Sequence, residues 1–428
     1  MTLTSWLEWA WYSIALSAIL LGWVWTIVLY IAGGKFMARL EERPLGDDDD
    51  YLWVFLVPAL NEGVTIADSV ARLRSVNVKN KIALVINDGS DDDTGEVLER
   101  IGGPDLAVLT RVAPNARKGK AAALNNALEF LQENVLSSPR YEQWTPDRTI
   151  VVIVDADGRL AADAPSYVAG HFTNPRLAGV QVRVAIYNQE SWLTRMQAQE
   201  FKIFGGLFQV GRSEWGTAFM GGNGQFNRLS ALTSVAGPEG PWSDFLTEDQ
   251  ELGLRLLERG WVCEHEPRTN VSQQGLNSRR KLYRQRTRWM QGNLQVIGSA
   301  SRLHAYHLTG LRRFDAMMTL FMPLLQIIVG SAVIIALLAA LIFQVPLFPF
   351  GNVWALLFTV ALTFGPLGMG VIVSARGLGW RGIWPVMKLF PSYYAYIWFM
   401  WPVVFLGLFR QLKGTKTGST HLSGERGF

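Results

Sequence analysis

Residues 149–158 read Thr-Ile-Val-Val-Ile-Val-Asp-Ala-Asp-Gly, an apolar run that ends at two aspartates and a glycine. Its first six residues are all β-branched, a composition typical of a buried strand. Similar runs occur at Tyr51–Val57, before Pro58, and at Lys81–Ile86, before Asn87-Asp88-Gly89-Ser90. Each run therefore predicts a strand that ends at a turn or at polar residues.

Helical patterns alternate with these strands. Helices are predicted at Thr65–Arg74, Gly95–Ile101 and Lys120–Glu133, and a further strand at Leu106–Val112. This alternation predicts right-handed βαβ units and a mostly parallel sheet covered on both faces. Ligands of such sheets bind beyond the carboxyl ends of the strands. The fold is therefore expected to gather at one edge four acidic residues that follow predicted strands: Glu62, Asp88, Asp155 and Asp157.

The composition indicates a membrane protein with a globular domain. Of the 428 residues, 49% are hydrophobic and only 18% are charged, against about 25% charged in soluble domains. The single cysteine, Cys263, excludes a disulfide scaffold. The net charge is +4 and the basic residues are scattered, so no nucleic-acid partner is expected. The sequence contains neither a G-x-G-x-x-G fingerprint after the first strand nor a P-loop motif, which argues against a dinucleotide oxidoreductase and a P-loop NTPase.

Four apolar stretches are long enough to cross a bilayer, which takes about 20 helical residues. They are Trp9–Ala32, Ala316–Phe343, Asn352–Ser374 and Leu389–Phe409. Trp and Tyr residues at their ends match an interfacial aromatic belt. The chain is thus expected to comprise an N-terminal anchor, a cytoplasmic catalytic domain, interfacial amphipathic helices, C-terminal membrane helices and a basic tail, at 1–34, 35–277, 278–315, 316–410 and 411–428.

The charges beside the first span predict its orientation. Lys35, Arg39 and Arg43 follow this span and nothing basic precedes it, so the positive-inside rule places the next segment in the cytoplasm. Three further spans would then place the basic tail outside, against the same rule. Either the tail is exported despite its charge, or one C-terminal segment is re-entrant, with a break near Pro385 and Pro391. The prediction is an integral plasma-membrane protein whose catalytic domain faces the cytoplasm.

Asp155 and Asp157 form a candidate metal site. Mg²⁺ and Mn²⁺ prefer oxygen ligands, and Mg²⁺ commonly takes one or two carboxylates together with phosphate oxygens. A metal-bound diphosphate therefore fits this pair. A solvated turn is the alternative for Asp-x-Asp, and a turn that caps the next helix is the alternative for Asp88-Gly89-Ser90.

Six motifs follow one another along the chain: Pro58-Ala59-Leu60-Asn61-Glu62, Asp88-Gly89-Ser90, Lys120 with Ala123-Leu124-Asn125, Asp155-Ala156-Asp157, Thr247-Glu248-Asp249 and Gln285-Arg286-Thr287-Arg288-Trp289. With this set, from about Leu52 to Gly292, the chain resembles the membrane-embedded inverting family 2 glycosyltransferases, which include cellulose, hyaluronan and chitin synthases. Its length and span pattern are most similar to the chitin-oligosaccharide synthases of Nod-factor assembly. The resemblance implies an α/β fold of the GT-A, Rossmann-like type, inserted between transmembrane helices.

The resemblance also implies roles for individual residues. A nucleotide-sugar donor, of the UDP-sugar type, would be bound by Pro58, Glu62, Asp88, Lys120 and Asp155, with Mg²⁺ or Mn²⁺ on Asp157. Asp249, with Glu248 beside it, would take the proton from the acceptor hydroxyl, since a single displacement needs one base on the acceptor face. The acceptor and the diphosphate would lie against Gly222, Asn223, Gln285, Arg286, Arg288 and Trp289. Thr247–Gly253 also reads as a capped helix start, and Arg279–Trp289 as an interfacial basic helix that meets membrane lipids.

Two departures from the family leave the sugar and linkage open. The motif Asn223-Gly224-Gln225-Phe226 differs from the corresponding motif of the cellulose and hyaluronan synthases. The gating-loop motif of cellulose synthases is not found intact, and Lys413–Thr417 is a candidate substitute for it only if the tail is cytoplasmic. The resemblance favours a processive polymerase that passes a β-linked glycan through its own spans. The alternatives are single transfer to a lipid such as a ceramide or polyprenyl phosphate, and a catalytically silent nucleotide-sugar-binding or exporter scaffold subunit. The expected acids are all retained, which argues against the silent subunit.

Overall fold

The computed structural model describes residues 3–343, 368–373 and 379–414. Eight strands form one sheet in the order β3-β2-β1-β4-β7-β6-β8-β5. The strands are β1 Leu52–Ala59, β2 Lys81–Asn87, β3 Leu106–Thr110, β4 Thr149–Ile153, β5 Arg159–Leu160, β6 Leu177–Ile186, β7 Gln225–Arg228 and β8 Val262–Gln273. Four of the seven pairings are parallel, so the prediction of a mostly parallel sheet is confirmed, with antiparallel pairs at β4/β7, β6/β7 and β5/β8.

Helices cover both faces of the sheet and continue into the membrane part. In chain order they are α1 Leu3–Glu42, α2 Ile66–Arg74, α3 Thr94–Ile101, α4 Lys120–Phe130, α5 Ala164–Phe172, α6 Trp192–Ile203, α7 Val210–Ser213, α8 Leu229–Ser234, α9 Glu248–Glu258, α10 Arg279–Val296, α11 Gly310–Phe343, α12 Gly379–Met400 and α13 Pro402–Leu412. A π-helical segment, Phe204–Gln209, joins α6 to α7, and a 3-10 segment, Ile297–His304, follows α10.

The central strand β1 shows why its sequence is apolar throughout. Successive side chains of a strand point to opposite faces. Trp53 and Phe55 belong to the core on one face of the sheet, whereas Val54 and Leu56 belong to the core on the other face. Both faces are covered, so no polar residue is needed on either side.

The sheet topology brings distant residues to one edge. β1 pairs in parallel with both β2 and β4, so their carboxyl ends coincide, and two inter-strand spacings of about 4.8 Å separate β2 from β4. β7 runs antiparallel to β4, with Gln225 opposite Ile153. The loop before β7 therefore lies beside the residues that follow β4.

Three helices of the described ranges are long and apolar enough to span a membrane: Leu16–Glu42, Gly310–Ala332 and Met387–Leu412. Three of the four predicted spans correspond to them. Most of the fourth, Asn352–Ser374, lies outside the described residues, as does the tail from residue 415. α12 passes through Pro385 and Pro391 and ends at Met400, so the helix break lies before Pro402.

The first membrane helix continues without interruption into the globular domain. α1 extends to Glu42, eight residues beyond the expected boundary at residue 34. A Cβ on Gly211 would lie 2.6 Å from the Leu29 carbonyl oxygen, so α7 contacts α1 closely and only glycine fits there. Arg39, in the last turn of α1, forms an ion pair with Glu214 at 2.6 Å.

Candidate active site

Lys120, at the start of α4, lies at the centre of the candidate site. Its Nζ donates to Asp155 Oδ1 at 2.6 Å and to the Gly222 carbonyl oxygen at 2.7 Å. Burial acts to lower the pKa of Lys120, but the carboxylates of Asp155, Glu248 and Asp249 together outweigh burial and raise it. The ammonium group therefore stays charged and draws three segments together that are distant in the sequence.

Asp249 lies on the other side of the same loop. A Cβ on Gly222 would be 3.3 Å from Lys120 Nζ and 3.5 Å from Asp249 Oδ2, so glycine leaves both groups accessible from one space. Burial and then the adjacent Glu248 carboxylate raise the pKa of Asp249 to about 7. The Gln250 backbone N–H, which donates to Asp249 Oδ1 at 2.8 Å, opposes this rise. A carboxylate with this pKa can accept a proton near neutral pH.

The turn after β4 is fixed by hydrogen bonds. The Gly158 N–H donates to the Asp155 carbonyl oxygen at 2.7 Å, and the Asp155 N–H donates to Asn223 Oδ1 at 3.2 Å. Asn223 is held in turn by Gln273 Oε1, which accepts from its Nδ2 at 3.1 Å. Asp157 is half-buried in this turn, two residues beyond Asp155. The carboxylates of Asp155 and Asp157 supply the oxygen ligands that Mg²⁺ and Mn²⁺ prefer.

A second acidic group lies elsewhere. Within the described ranges, three carboxylates that approach within 4.8 Å of one another occur at Asp47, Asp48 and Asp49. They precede β1, at the amino end of the strand, whereas Asp157 follows the carboxyl end of β4. Because β1 and β4 are parallel, the two acidic groups lie at opposite edges of the sheet. Lys79 forms an ion pair with Asp49.

Asp88 follows β2 and is buried at the same edge as Asp155. Its Oδ1 accepts from Arg111 Nη1 at 2.5 Å and from the Arg117 N–H at 2.9 Å. Burial raises the pKa of Asp88, and these two arginines oppose the rise. Sequence reasoning missed Arg111 because the predicted strand Leu106–Val112 includes it, whereas β3 ends at Thr110 and Arg111 directly follows the strand.

Pro58 and Glu62 lie at and beyond the end of β1. Pro58 pairs with Ile86 of β2. The Glu62 N–H donates to Thr94 Oγ1 at 2.9 Å, and Glu62 Oε2 accepts from Thr65 Oγ1 at 2.6 Å. The bond to Thr94 joins the loop after β1 to the start of α3, and the bond to Thr65 lies within that loop.

Helix α10 brings the Gln285–Trp289 motif to the segment that carries Asp249. Arg288 Nη1 donates to the Leu246 carbonyl oxygen at 3.1 Å, and Gln295 Oε1 accepts from the Leu246 N–H at 3.2 Å. A Cβ on Gly292 would lie 2.6 Å from Thr247 Cγ2, so this glycine permits the close contact. Gln285, Arg288 and Trp289 share one face of α10, since residues three and four apart are neighbours on a helix.

Arg286 points away from this face, towards α6 and α12. It is buried, and its Nη2 donates to Glu200 Oε2 at 2.8 Å. Tyr396 donates its hydroxyl to the same oxygen at 2.9 Å. The Arg286 guanidinium also lies 4.1 Å from the centre of the Trp289 ring, a cation–π distance. The structure thus places Arg286 behind Trp289 rather than beside Asp249.

The predicted residues therefore fall into two connected groups. Around Lys120 the structure brings together Asp155, Gly222, Glu248 and Asp249, with Asn223 bonded to this group and Arg288 close enough to influence the pKa of Asp249. Pro58, Glu62 and Asp88 lie one to two strands away on the same edge.

Comparisons with known proteins show the family and the fold of this chain. A family model described as Glycosyl transferase family group 2 matches residues 150–410, more than half of the chain, and one described as Glycosyl transferase family 2 matches residues 54–233. A mannosyltransferase from Pyrobaculum calidifontis, solved with GDP-Man and Mn²⁺, has a TM-score of 0.59 at 16% identity and covers 95% of this chain and 100% of its own. The GT-A fold expected from the sequence is thereby confirmed.

Two curated relatives make different products. A beta-monoglucosyldiacylglycerol synthase of Trichormus variabilis is 31% identical over 246 residues, which are 56% of this chain and 48% of that protein. A poly-beta-1,6-N-acetyl-D-glucosamine synthase of Staphylococcus aureus is 26% identical over 279 residues, which are 64% of this chain and 63% of that protein. The alignments thus span from about half to somewhat under two thirds of these relatives.

Proposed function

Because the chain belongs to glycosyl transferase family group 2, we propose that it transfers a sugar from a nucleotide-sugar donor to an acceptor hydroxyl, with inversion at the anomeric carbon. The observation that carries this proposal is the convergence of Lys120, Asp155 and Asp249 around Gly222. It places a cation, a candidate donor-binding carboxylate and a candidate base around one space. The reaction takes place at the cytoplasmic face of the plasma membrane.

The donor lies along the carboxyl edge of the sheet, where its nucleotide contacts Pro58, Glu62, Asp88, Lys120 and Asp155. Asp157 would hold Mg²⁺ or Mn²⁺, and the donor is a UDP-sugar. When bound, the metal neutralises charge on the diphosphate and so assists its departure. Lys120 adds a fixed positive charge at the same place, since its pKa is raised.

The transfer is a single displacement. Asp249 removes the proton of the acceptor hydroxyl, the resulting oxygen bonds to the anomeric carbon, and the bond from that carbon to the diphosphate oxygen breaks. The bonding electrons leave with the nucleoside diphosphate. Arg288, on the same side as Asp249, offers a guanidinium to this leaving group, and Gln285 and Trp289 receive the acceptor sugar.

The acceptor in this proposal is the end of a growing β-linked glycan, which the enzyme extends processively and passes through its own membrane helices. Trp289 supports this assignment, because it lies one turn from Gln285 and next to Arg288 on α10 and its ring is held by Arg286 and Phe201. Stacking of a sugar ring on such a face holds the chain end without fixing its length.

A lipid acceptor is the second candidate, favoured by the 31% identity to a glucosyldiacylglycerol synthase. Sizing of the product separates the two. The purified full chain is supplied with radiolabelled UDP-sugars, Mg²⁺ or Mn²⁺ and membrane lipid, and the products are separated by chromatography. A ladder of glycans supports polymerisation, whereas one sugar on extractable lipid refutes it. No release of nucleoside diphosphate from any nucleotide-sugar donor contradicts the proposed transfer itself.

A further inference from the structure

A cleft of about 450 Å³ lies at the far end of α9 from Asp249. Its lining includes Arg255, Glu258, Arg259, Arg302, Tyr306 and His307. Nine residues of helix separate Asp249 from Glu258, which corresponds to about 14 Å at 1.5 Å per residue. The cleft therefore lies apart from the site around Lys120, and none of the residues proposed to bind the donor or the acceptor lines it.

The charges of this cleft are not balanced internally. Arg255 pairs with the buried Glu251 at 2.8 Å, and Arg302 pairs with Glu258 at 2.7 Å and with Glu251 at 3.4 Å. Two carboxylates are thus shared by two guanidinium groups. Arg259 is exposed, and no carboxylate of the described residues lies within the 4.0 Å of an ion pair from it. The cleft therefore carries an excess of positive charge at Arg259.

The wall opposite α9 is formed by the segment that leads into the membrane. The rings of Tyr306 and His307 are in contact, with their centres 3.6 Å apart and their planes tilted by 39°, and a Cβ on Gly260 would lie 3.0 Å from His307 Nδ1. The candidate membrane span of α11 begins at Gly310, three residues later. Tyr306 is 80% exposed, as expected for an aromatic side chain at the level of lipid headgroups.

We propose that this cleft binds the phosphate of an anionic phospholipid headgroup. The Arg259 guanidinium donates hydrogen bonds to the phosphate oxygens, a geometry that arginine provides in a bidentate manner. Tyr306 lies beside the headgroup at the interface, and the paired Arg302 adds positive potential without losing its contact with Glu258. The bound lipid links the end of α9, whose first turn carries Asp249, to the membrane surface. This inference is independent of which sugar is transferred.

Native mass spectrometry of the full chain in neutral detergent tests the proposal. Apparent affinities are measured for phosphatidylglycerol and for phosphatidylcholine of the same acyl chains, with Arg259→Glu as the variant. Arg100→Glu is the matched control, because Arg100 is also exposed, on α3 of the globular domain, outside the cleft. We expect phosphatidylglycerol to bind the wild type roughly tenfold more tightly than phosphatidylcholine, because the choline ammonium offsets the phosphate charge of phosphatidylcholine and is repelled by the positively charged cleft.

The expected result is that Arg259→Glu removes this preference and Arg100→Glu retains it. Arg259→Gln and Tyr306→Ala should weaken binding less, and circular dichroism verifies that each variant is folded. Equal affinity for the two lipids in the wild type overturns the proposal, as does an equal loss in Arg100→Glu, which indicates an effect of net charge. Inorganic phosphate is the remaining probe: its binding, with no preference for phosphatidylglycerol, identifies a site for soluble phosphate and rejects the lipid.

Discussion

Asp155 and Asp249 are two carboxylates on opposite sides of Gly222, and their surroundings differ. Asp155 accepts a hydrogen bond from Lys120 at 2.6 Å, and its side chain is 37% exposed. Asp249 is largely enclosed and has another carboxylate, Glu248, as its neighbour, so its pKa rises to about 7. One carboxylate is paired with a cation, and the other can gain or lose a proton near neutral pH.

This difference matches the two halves of the proposed reaction. A group that binds a metal-diphosphate acts through a standing charge, whereas a general base must change its charge during each turnover. The two proposed halves of the site also differ in the secondary-structure elements that form them. The proposed donor half is built from the ends of neighbouring parallel strands, and the proposed acceptor half from contacts between α10 and the segment that leads into α9.

The largest effect is expected from Asp249→Asn. Asparagine keeps the shape of the side chain but cannot accept the acceptor's proton, so kcat should fall by about 10²–10⁴-fold, the usual contribution of a general base. Donor affinity, measured by calorimetry with Mn²⁺, should change little, because the loss is confined to the transition state. Asp244→Asn, an exposed change five residues upstream, is the control and should leave kcat unaltered. Unchanged turnover in Asp249→Asn would remove this residue from the chemistry.

Asp157→Ala tests the donor half and should affect binding rather than the chemical step alone. Removing the proposed metal ligand should weaken Mn²⁺-dependent donor affinity by about tenfold or more, which is roughly 1.4 kcal/mol or more. Asp47→Ala is the matched control, since Asp47 belongs to the acidic group at the opposite edge of the sheet. A loss of affinity in Asp47→Ala with none in Asp157→Ala would assign the metal to the wrong edge for this proposal.

The donor half could be predicted closely from the sequence because its elements are local. The strand predicted at Lys81–Ile86 is Lys81–Asn87 in the structure, and the helix predicted at Thr65–Arg74 is Ile66–Arg74. In each case the apolar residues that indicate the element and the turn residue that ends it lie within a few positions of one another in the sequence. The carboxyl-end rule then sufficed to place Asp88 and Asp155 on one edge.

The acceptor half could be predicted only through the family resemblance. The partners Glu200 and Arg286 are 86 residues apart, and Glu200 and Tyr396 are 196 apart, so no periodicity of the sequence links them. The contact of Gly292 with Thr247 could not be predicted from the sequence either, since a glycine in a helix can have several structural reasons.

Asn125 shows a related limit, because a motif position need not touch a ligand. Its Nδ2 donates to the Trp242 carbonyl oxygen at 2.7 Å, and its Oδ1 accepts from the Trp242 N–H at 3.0 Å. Asn125 thereby holds the segment before Thr247 against α4. The motif spacing alone gave no reason to separate this positioning role from a binding role.

The smallest effect, and the one that bears most directly on the contrast between Asp155 and Asp249, is expected from Glu248→Gln. The base must be ionised to act, so kcat/KM should fall as the pH drops below about 7, the pKa of Asp249. Glu248 raises that pKa, and removing its charge should move the acid limb to lower pH. The quantity compared between wild type and variant is the pH at the midpoint of the acid limb of the kcat/KM profile, irrespective of the maximum value of kcat/KM. The conservative change Glu248→Asp keeps the charge and should leave the limb near its original position. An acid limb that stays at the same pH in Glu248→Gln, or moves to higher pH, would show that Glu248 does not raise the pKa of Asp249.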